Sequence, residues 1–404
     1  MKFEVEELQK RFGIPEEQAM LQMQRQYDFT ALLQEGRLAE RIGDRWAGAH
    51  IDHSDGATAY VFVASDAAQK LSEELNLPKW VVVKQVKSSY QEMDQALRAL
   101  VEGLSGQDTK SGYSGASDFM NNRVAITVQK GSPEAARIDE RVTQLAKSGS
   151  NVDVEVTLSD GPRLGRAAAC PDSCNSYVLY GGIDLYTSDL PNQSFGLSCT
   201  AGFNFRLEPD DGSRYSSTAG HCGNHQWSNG YAWKNNVNGL RIGQSVGNRV
   251  IVARRADYQL IAKDPIRTNV PAQIWRPGNW YMNVWLDIIN FSSMGTGNMT
   301  CYITASSRLH NLGDGHRCGL LTAVNLAADV NTNGTVIHAY DMGLIAQGAC
   351  HADSGGAVYT DDGRAYGLSR AVFGDPDGNN CAPTMSFSWM DIVESYSGYQ
   401  VLGP

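Results

Sequence analysis

The first 169 residues of this 404-residue chain contain no cysteine, yet eight cysteines lie between Cys170 and Cys381. That distribution reads as a disulfide framework confined to one part of the chain and formed in an oxidising compartment. Basic charge is also scarce: 34 Lys and Arg face 44 Asp and Glu, a net charge of −10. Sequence-independent nucleic-acid binding needs a basic face, so no nucleic-acid partner is expected. No apolar run reaches the roughly 18 residues a spanning helix needs, so no membrane partner is expected either. Charged residues make up 19% and hydrophobic ones 42%, which favours a packed core over disorder. Met1-Lys2-Phe3-Glu4-Val5-Glu6-Glu7 has no apolar h-region. The cysteines nonetheless call for export, so the expectation is a secreted protein whose signal peptide is absent from this sequence.

Glycine is plentiful, at 41 residues, and it is unevenly used. From Tyr180-Gly181-Gly182 onward, short strands alternate with Gly, Asn and Asp turns, and no long helix is expected before Met390 to Tyr396. That pattern is all-β, barrel or sandwich. The N-terminal region reads differently. Ile14-Pro15-Glu16-Glu17 starts a helix, and Met20, Leu21, Met23, Tyr27, Leu32 and Leu33 give it an apolar stripe. Trp46 to His53 leads through Ser54-Asp55-Gly56 into the strand Ala59 to Val63, a hairpin in which His50 and His53 are solvated rather than metal ligands. Strands Val81 to Val86 and Val124 to Gln129 each precede a helix, Ser89 to Leu104 and Pro133 to Lys147; a last strand is Val152 to Val156. Such units make a small α/β module. Ser105 to Ser117 reads as a loop, and Asp160 to Ala169 as an exposed linker open to processing.

No chemistry is visible before residue 165. Beyond it, Ala349-Cys350-His351-Ala352-Asp353-Ser354-Gly355-Gly356-Ala357-Val358 places one serine in a turn of small residues. A serine hydroxyl is a weak nucleophile that needs a base and backbone N–H groups aimed at the oxyanion. Taken alone, Asp-Ser-Gly is an ordinary turn. Two further stretches change that: Ser217-Thr218-Ala219-Gly220-His221-Cys222-Gly223 sets a histidine beside a cysteine, and Arg255-Ala256-Asp257-Tyr258-Gln259-Leu260-Ile261 puts an aspartate at the head of an apolar strand. The order is His, Asp, Ser.

With Ser198 to Phe205, Met299-Thr300-Cys301 and Cys318 to Asn325 following in order, the region from about 175 to 404 resembles the chymotrypsin-fold serine peptidases, in the secreted bacterial branch of streptogrisin and α-lytic protease. The resemblance implies a double β-barrel over 166–404. It also implies Ser354 as nucleophile, His221 as base, Asp257 as its orienting carboxylate, and the N–H groups of Ala352 and Ser354 as the oxyanion hole. It pairs Cys199 with Cys222, Cys301 with Cys318 and Cys350 with Cys381, leaving Cys170 and Cys174 for each other. Cys170-Pro171-Asp172-Ser173-Cys174 has ligand-like spacing, but no second pair completes a zinc site, and neither metal nor organic cofactor is expected. Residues 1–165 resemble, more weakly, the pro-regions of that branch, which assist folding and then inhibit. The partners implied are a protein or peptide substrate and the chain's own pro-region. The strand Val152 to Val156 is expected to add to a barrel edge.

Two residues depart from the family's pattern. Ala352 stands two before the nucleophile, where glycine is usual. In the substrate-binding strand Gly367-Leu368-Ser369-Arg370-Ala371-Val372, Arg370 stands where a serine normally supports the triad aspartate, and Val372 where glycine opens the specificity pocket; a shift of one residue would return Ser369 to that place. Gly348, six before the nucleophile, carries no carboxylate, so Lys or Arg at the cleaved position is disfavoured and an apolar or small side chain expected. The expectation is a serine endopeptidase zymogen. A protease-fold binding protein without turnover is the alternative that Ala352 and Arg370 motivate, and an esterase is a third reading.

Overall fold

Pro15 caps a helix because its fixed φ and missing N–H cost nothing there. In the computed structural model, α1 (Lys2–Phe12) is followed by α2 (Glu16–Gln34), with Pro15 at the N-cap and Glu16 and Glu17 in the first turn. Residues 2–64, 68–104, 113–159, 181–187, 197–207, 209–223, 232–235, 241–252, 254–263, 272–276, 280–283, 285–303, 315–332, 335–350, 353–373 and 381–402 are described. The chain divides into two units: Met1–Pro162 with Asn290–Met299 and Gly319–Ile345, and Arg163–Ile289 with Thr300–Cys318 and Ala346–Pro404.

In the first unit, α2 buries Ala19, Gln22, Met23, Gln26, Phe29, Thr30 and Leu33. Met20 and Leu21, expected in the buried stripe, are 48% and 54% exposed. The inward stripe carries three polar side chains, so apolar spacing alone misplaces it. Beneath it lies a three-stranded sheet, β1 (Trp46–Asp52), β2 (Thr58–Val63) and β3 (Val81–Gln85), antiparallel then parallel. Its core joins Phe29, Leu33, Ile42, Trp46, Ile51, Val61 and Val63. His53 is buried against Gln22 and Gln26, although the hairpin pattern predicts a solvated ring. Gln26 explains its own burial: its amide donates to Met299 O at 2.9 Å and accepts from Met299 N at 2.6 Å, mimicking a strand neighbour.

The rest of this unit is β4 (Tyr113–Asp118), β5 (Arg123–Gln129) and β6 (Asp153–Ser159), with helices over Tyr90–Leu104 and Pro133–Lys147. Both helices start on side-chain caps. Ser89 and Glu92 exchange bonds as a capping box, and Ser132 Oγ accepts from Ala135 N. β4 lies partly in the stretch expected to be a loop. It is antiparallel to β5 on one side and to the long strand His316–Thr332 on the other, with Gly115 opposite Ala327 and Ser114 opposite Ala328. β6 instead pairs in parallel with β5, Val154 beside Val124. The strand that adds to the C-terminal part of the chain is therefore β4, not Val152–Val156. Asn325 reinforces the addition by accepting from Ser117 N at 3.1 Å and donating to Ser117 Oγ at 2.9 Å. A second backbone contact joins β1 to Thr296, whose N–H donates to Ala49 O and whose carbonyl accepts from Ile51 N.

The second unit is β-rich. One eight-stranded sheet runs in the order Tyr399–Val401, Asn204–Leu207, Arg214–Thr218, Asp257–Lys263, Arg241–Val252, Ala232–Asn235, Asp184–Thr187 and Leu197–Thr200. Another run of neighbours is Met299–Ile303, Ala357–Tyr359, Arg364–Phe373 and Thr384–Trp389. A helix, Met390–Ser397, closes on Gly398 at φ 69°. The architecture is thus a mainly β C-terminal part preceded by a small α/β module. Among the described residues no helix is long and apolar enough to cross a membrane.

Candidate active site

Three elements of the second unit bring His221, Asp257 and Ser354 together. His221 sits in the short 3-10 turn Gly220–Gly223, reached from the strand Arg214–Thr218. That approach is fixed by buried hydroxyls: Ser217 Oγ donates to Phe203 O at 2.8 Å and Thr218 Oγ1 to Thr200 O at 2.9 Å. The Cys199–Cys222 disulfide ties the turn to the strand Leu197–Thr200. Asp257 opens its strand, wholly buried, and its N–H donates to Ser388 Oγ at 3.2 Å. Ser354 lies in the turn after Ala349–Cys350, which Cys350–Cys381 holds to Cys381–Ala382.

The turn around Ser354 needs its glycine. Gly355 has φ +90°, and a Cβ there would stand 2.3 Å from Thr218 Oγ1 and 2.5 Å from Thr200 O. Backbone bonds lock the same place: Ser354 O accepts from Thr200 N at 2.9 Å, and Gly355 N donates to Ser369 O at 2.8 Å. Asp353, 1% exposed, accepts from Cys350 N at 2.7 Å through Oδ2. Ser369 Oγ donates to Asp353 O.

The three side chains form one hydrogen-bonded line. Asp257 Oδ2 is 2.6 Å from His221 Nδ1, Asp257 Oδ1 accepts from His221 N at 3.0 Å, and His221 Nε2 is 2.9 Å from Ser354 Oγ. With its Nδ1 proton held by the carboxylate, the imidazole presents Nε2 to the hydroxyl. Burial pushes the Asp257 carboxyl up, but the His221 charge and hydrogen bonds and the Arg370 guanidinium more than reverse this, leaving it below its ordinary value.

Of the expected substrate-binding residues, Arg370 reaches the triad. Its Nε lies 3.7 Å from Asp257 Oδ2, so Arg370, not Ser369, faces the aspartate. Gly348 O accepts from Arg317 Nη1 at 2.6 Å and from Tyr302 OH. Ala371 O accepts from Ser386 Oγ, and Val372 is 9% exposed. Ala352, expected in the oxyanion hole, and Cys170 and Cys174, expected to pair, lie outside the described residues, as do His225, His310 and His351. Cys301 is bonded to Cys318. His316 stands within ligand distance of both, but bonded sulfurs offer no thiolate, so the three do not make a metal site. His338 is held by Asp329. Ser388, Arg317 and Tyr302 were not singled out by sequence reading. Each shares its strand with other polar residues, Ser386, His316 and Thr300 among them, and nothing in spacing marks which one meets a site.

No protein-family model matches the chain. Solved bacterial proteases are similar to it in shape. Protease A of Thermobifida fusca is 21% identical, covering 56% of this chain and 100% of its own, with a TM-score of 0.41. A chymotrypsin of Cellulomonas bogoriensis is 19% identical over 56% of this chain and 100% of its own, at 0.40. An α-lytic protease homologue, N4, is 18% identical over 55% and 98%, at 0.39.

Proposed function

We propose that the chain is a serine endopeptidase made as a precursor, with residues 1–165 as pro-region and 166–404 as peptidase. The observation that carries this is the unbroken line from Asp257 through His221 to Ser354. In this reading His221 takes the Ser354 proton as Oγ attacks a peptide carbonyl, then passes it to the leaving amine. Asp257 holds the tautomer and stabilises the imidazolium. The N–H of Ser354, with that of Ala352, receives the oxyanion. Water then hydrolyses the acyl-enzyme by the same base. No metal or cofactor enters any step.

An apolar or small side chain is preferred before the cleaved bond. Gly348 brings no carboxylate, and its carbonyl is taken by the Arg317 guanidinium, a cation that disfavours a Lys or Arg side chain nearby. The β4 addition supports a pro-region role: β-rich folds are slow to form, and a preformed strand lowers the cost of pairing the strand His316–Thr332. Secretion fits the three disulfides. The test is incubation of the purified chain with casein and with peptide substrates, alongside Ser354→Ala. Peptide-bond cleavage by the first and none by the second is expected. Ester turnover without peptide cleavage would make it an esterase, and neither activity would favour the binding protein.

A further inference from the structure

The strand Arg364–Phe373 does not run evenly past its neighbour. Leu368 faces Ser388 and Ser369 faces Phe387, but Ala371 faces Ser386, so Arg370 is the extra residue of a bulge. A bulge of this kind re-aims one side chain, commonly beside an active site. Here it turns a long cation inward: Arg370 is 2% exposed and among the largest fully buried side chains. A buried guanidinium is costly unless matched by an anion. One anion that faces it is Asp257, itself 0% exposed.

We propose that Arg370 is a positioning residue for the triad, whose fixed charge holds Asp257 as an oriented anion and offsets part of the negative charge felt by the His221 ring. The proposal rests on the endopeptidase reading only for its kinetic consequence. Asp257 Oδ2 faces two nitrogen partners, His221 Nδ1 at 2.6 Å and the Arg370 guanidinium Nε at 3.7 Å. The longer contact leaves the short hydrogen bond to the imidazole intact. Ser388, facing Leu368 across the strand pair just before the bulge, accepts from the Asp257 N–H and fixes the backbone of the same residue. The charged or titratable groups that act on Asp257 include His221, from its 3-10 turn, and Arg370, from the bulged strand; Asp257 in turn acts on Arg370.

A fixed cation beside the carboxylate keeps it ionised to lower pH than His221 alone would, so the group that orients the imidazole stays charged further into acid.

The test compares Arg370→Gln and Arg370→Met, which remove the charge, with Arg370→Lys, which keeps it. In full-length protein carrying Ser354→Ala, so that the chain stays intact, the Asp257 carboxyl is followed by 13C NMR through a pH titration. The neutral variants should take up the proton at higher pH than the parent, and Arg370→Lys should stay close to it. With Ser354 present, fluorophosphonate labelling at pH 5, relative to pH 8, should fall about tenfold in Arg370→Gln and recover in Arg370→Lys, the factor expected when a midpoint moves by about one on the pH scale. A folded neutral variant that titrates Asp257 at the parental midpoint overturns the proposal, as does failure of Arg370→Lys to restore what Arg370→Gln loses. If both neutral variants fail to fold and Arg370→Lys folds, that charge-specific rescue supports it. If the carboxyl midpoint moves but the parent is never labelled, the endopeptidase reading falls and the positioning contact stands.

Discussion

Arg98 Nη2 lies 2.7 Å from Asp341 Oδ1, across 243 residues of sequence, and the Asp341 side chain is 2% exposed. The guanidinium also rests over the Tyr340 ring, 4.8 Å from its centroid. This pair fastens the helix Tyr90–Leu104 to the strand Thr335–Ala346. Removing the cation strands a buried carboxylate, which is far worse than losing a surface pair. Arg98→Met should therefore destabilise the first unit by roughly 2–4 kcal/mol. Hydrogen exchange at the amides of 335–345 should report it as faster opening, while Arg37→Met, in an exposed pair with Glu40, should change little.

β4 makes a second prediction. Gly115 lies opposite Ala327 on one side and Ile126 on the other. Proline there fits neither ladder. Gly115→Pro should lose exchange protection at 326–329 and leave a separately added N-terminal segment a weak inhibitor of the processed enzyme. Removing Val152–Val156 should act less directly, because β6 reaches the strand His316–Thr332 only through β5 and β4. Equal loss from both changes would contradict this order.

At the nucleophile, Gly355→Ala places a methyl group 2.3 Å from Thr218 Oγ1 on a backbone at φ +90°. Strain and clash together should cost about 3 kcal/mol or more. The turn should move Ser354 away from His221, so labelling of Ser354 should fall at least about a hundredfold, a change of some 3 kcal/mol in the barrier. Thermal unfolding and labelling rate check the two halves separately.

Glu394 ties the last helix to the last strand, accepting from Val401 N at 2.6 Å. Burial pushes its carboxyl up to about 7, against the Val401 hydrogen bond and with help from Asp391. The folded state thus holds a proton that the unfolded chain has released between about 4.5 and 7. Its contribution to stability is full below that window and is lost as pH rises through it. Glu394→Gln should match the parent near pH 5 and exceed it by roughly 1 kcal/mol at pH 8, after allowing for solvent access. A parallel pH dependence in both proteins, measured by thermal unfolding, would contradict the assignment.

The parts of this molecule that were legible in the sequence are those with their own local signal. Pro15 and the alternating Val124, Ile126 and Val128 of β5 each announce an element. The histidine, aspartate and serine stood in recognisable settings and meet in space. What was hidden lacked such a signal. β4 is Tyr-Ser-Gly-Ala-Ser-Asp, a composition of turns, and it is a strand because two neighbours pair with it. The stripe of α2 carries glutamines whose partners are the Met299 backbone and His53, far along the chain or across the hairpin. Arg370 looked like a departure in a binding strand; that it faces Asp257 depends on a one-residue bulge no periodicity records.

The most direct measurement is treatment of the full-length chain with a fluorophosphonate, followed by peptide mapping of the adduct. A nucleophile activated by His221 should give a single adduct on Ser354, abolished by Ser354→Ala and reduced at least about a thousandfold by His221→Ala. An intact, folded chain that takes up no label on Ser354 at any pH from 5 to 9, before or after loss of the N-terminal region, would contradict the assignment of Asp257, His221 and Ser354 as a working triad.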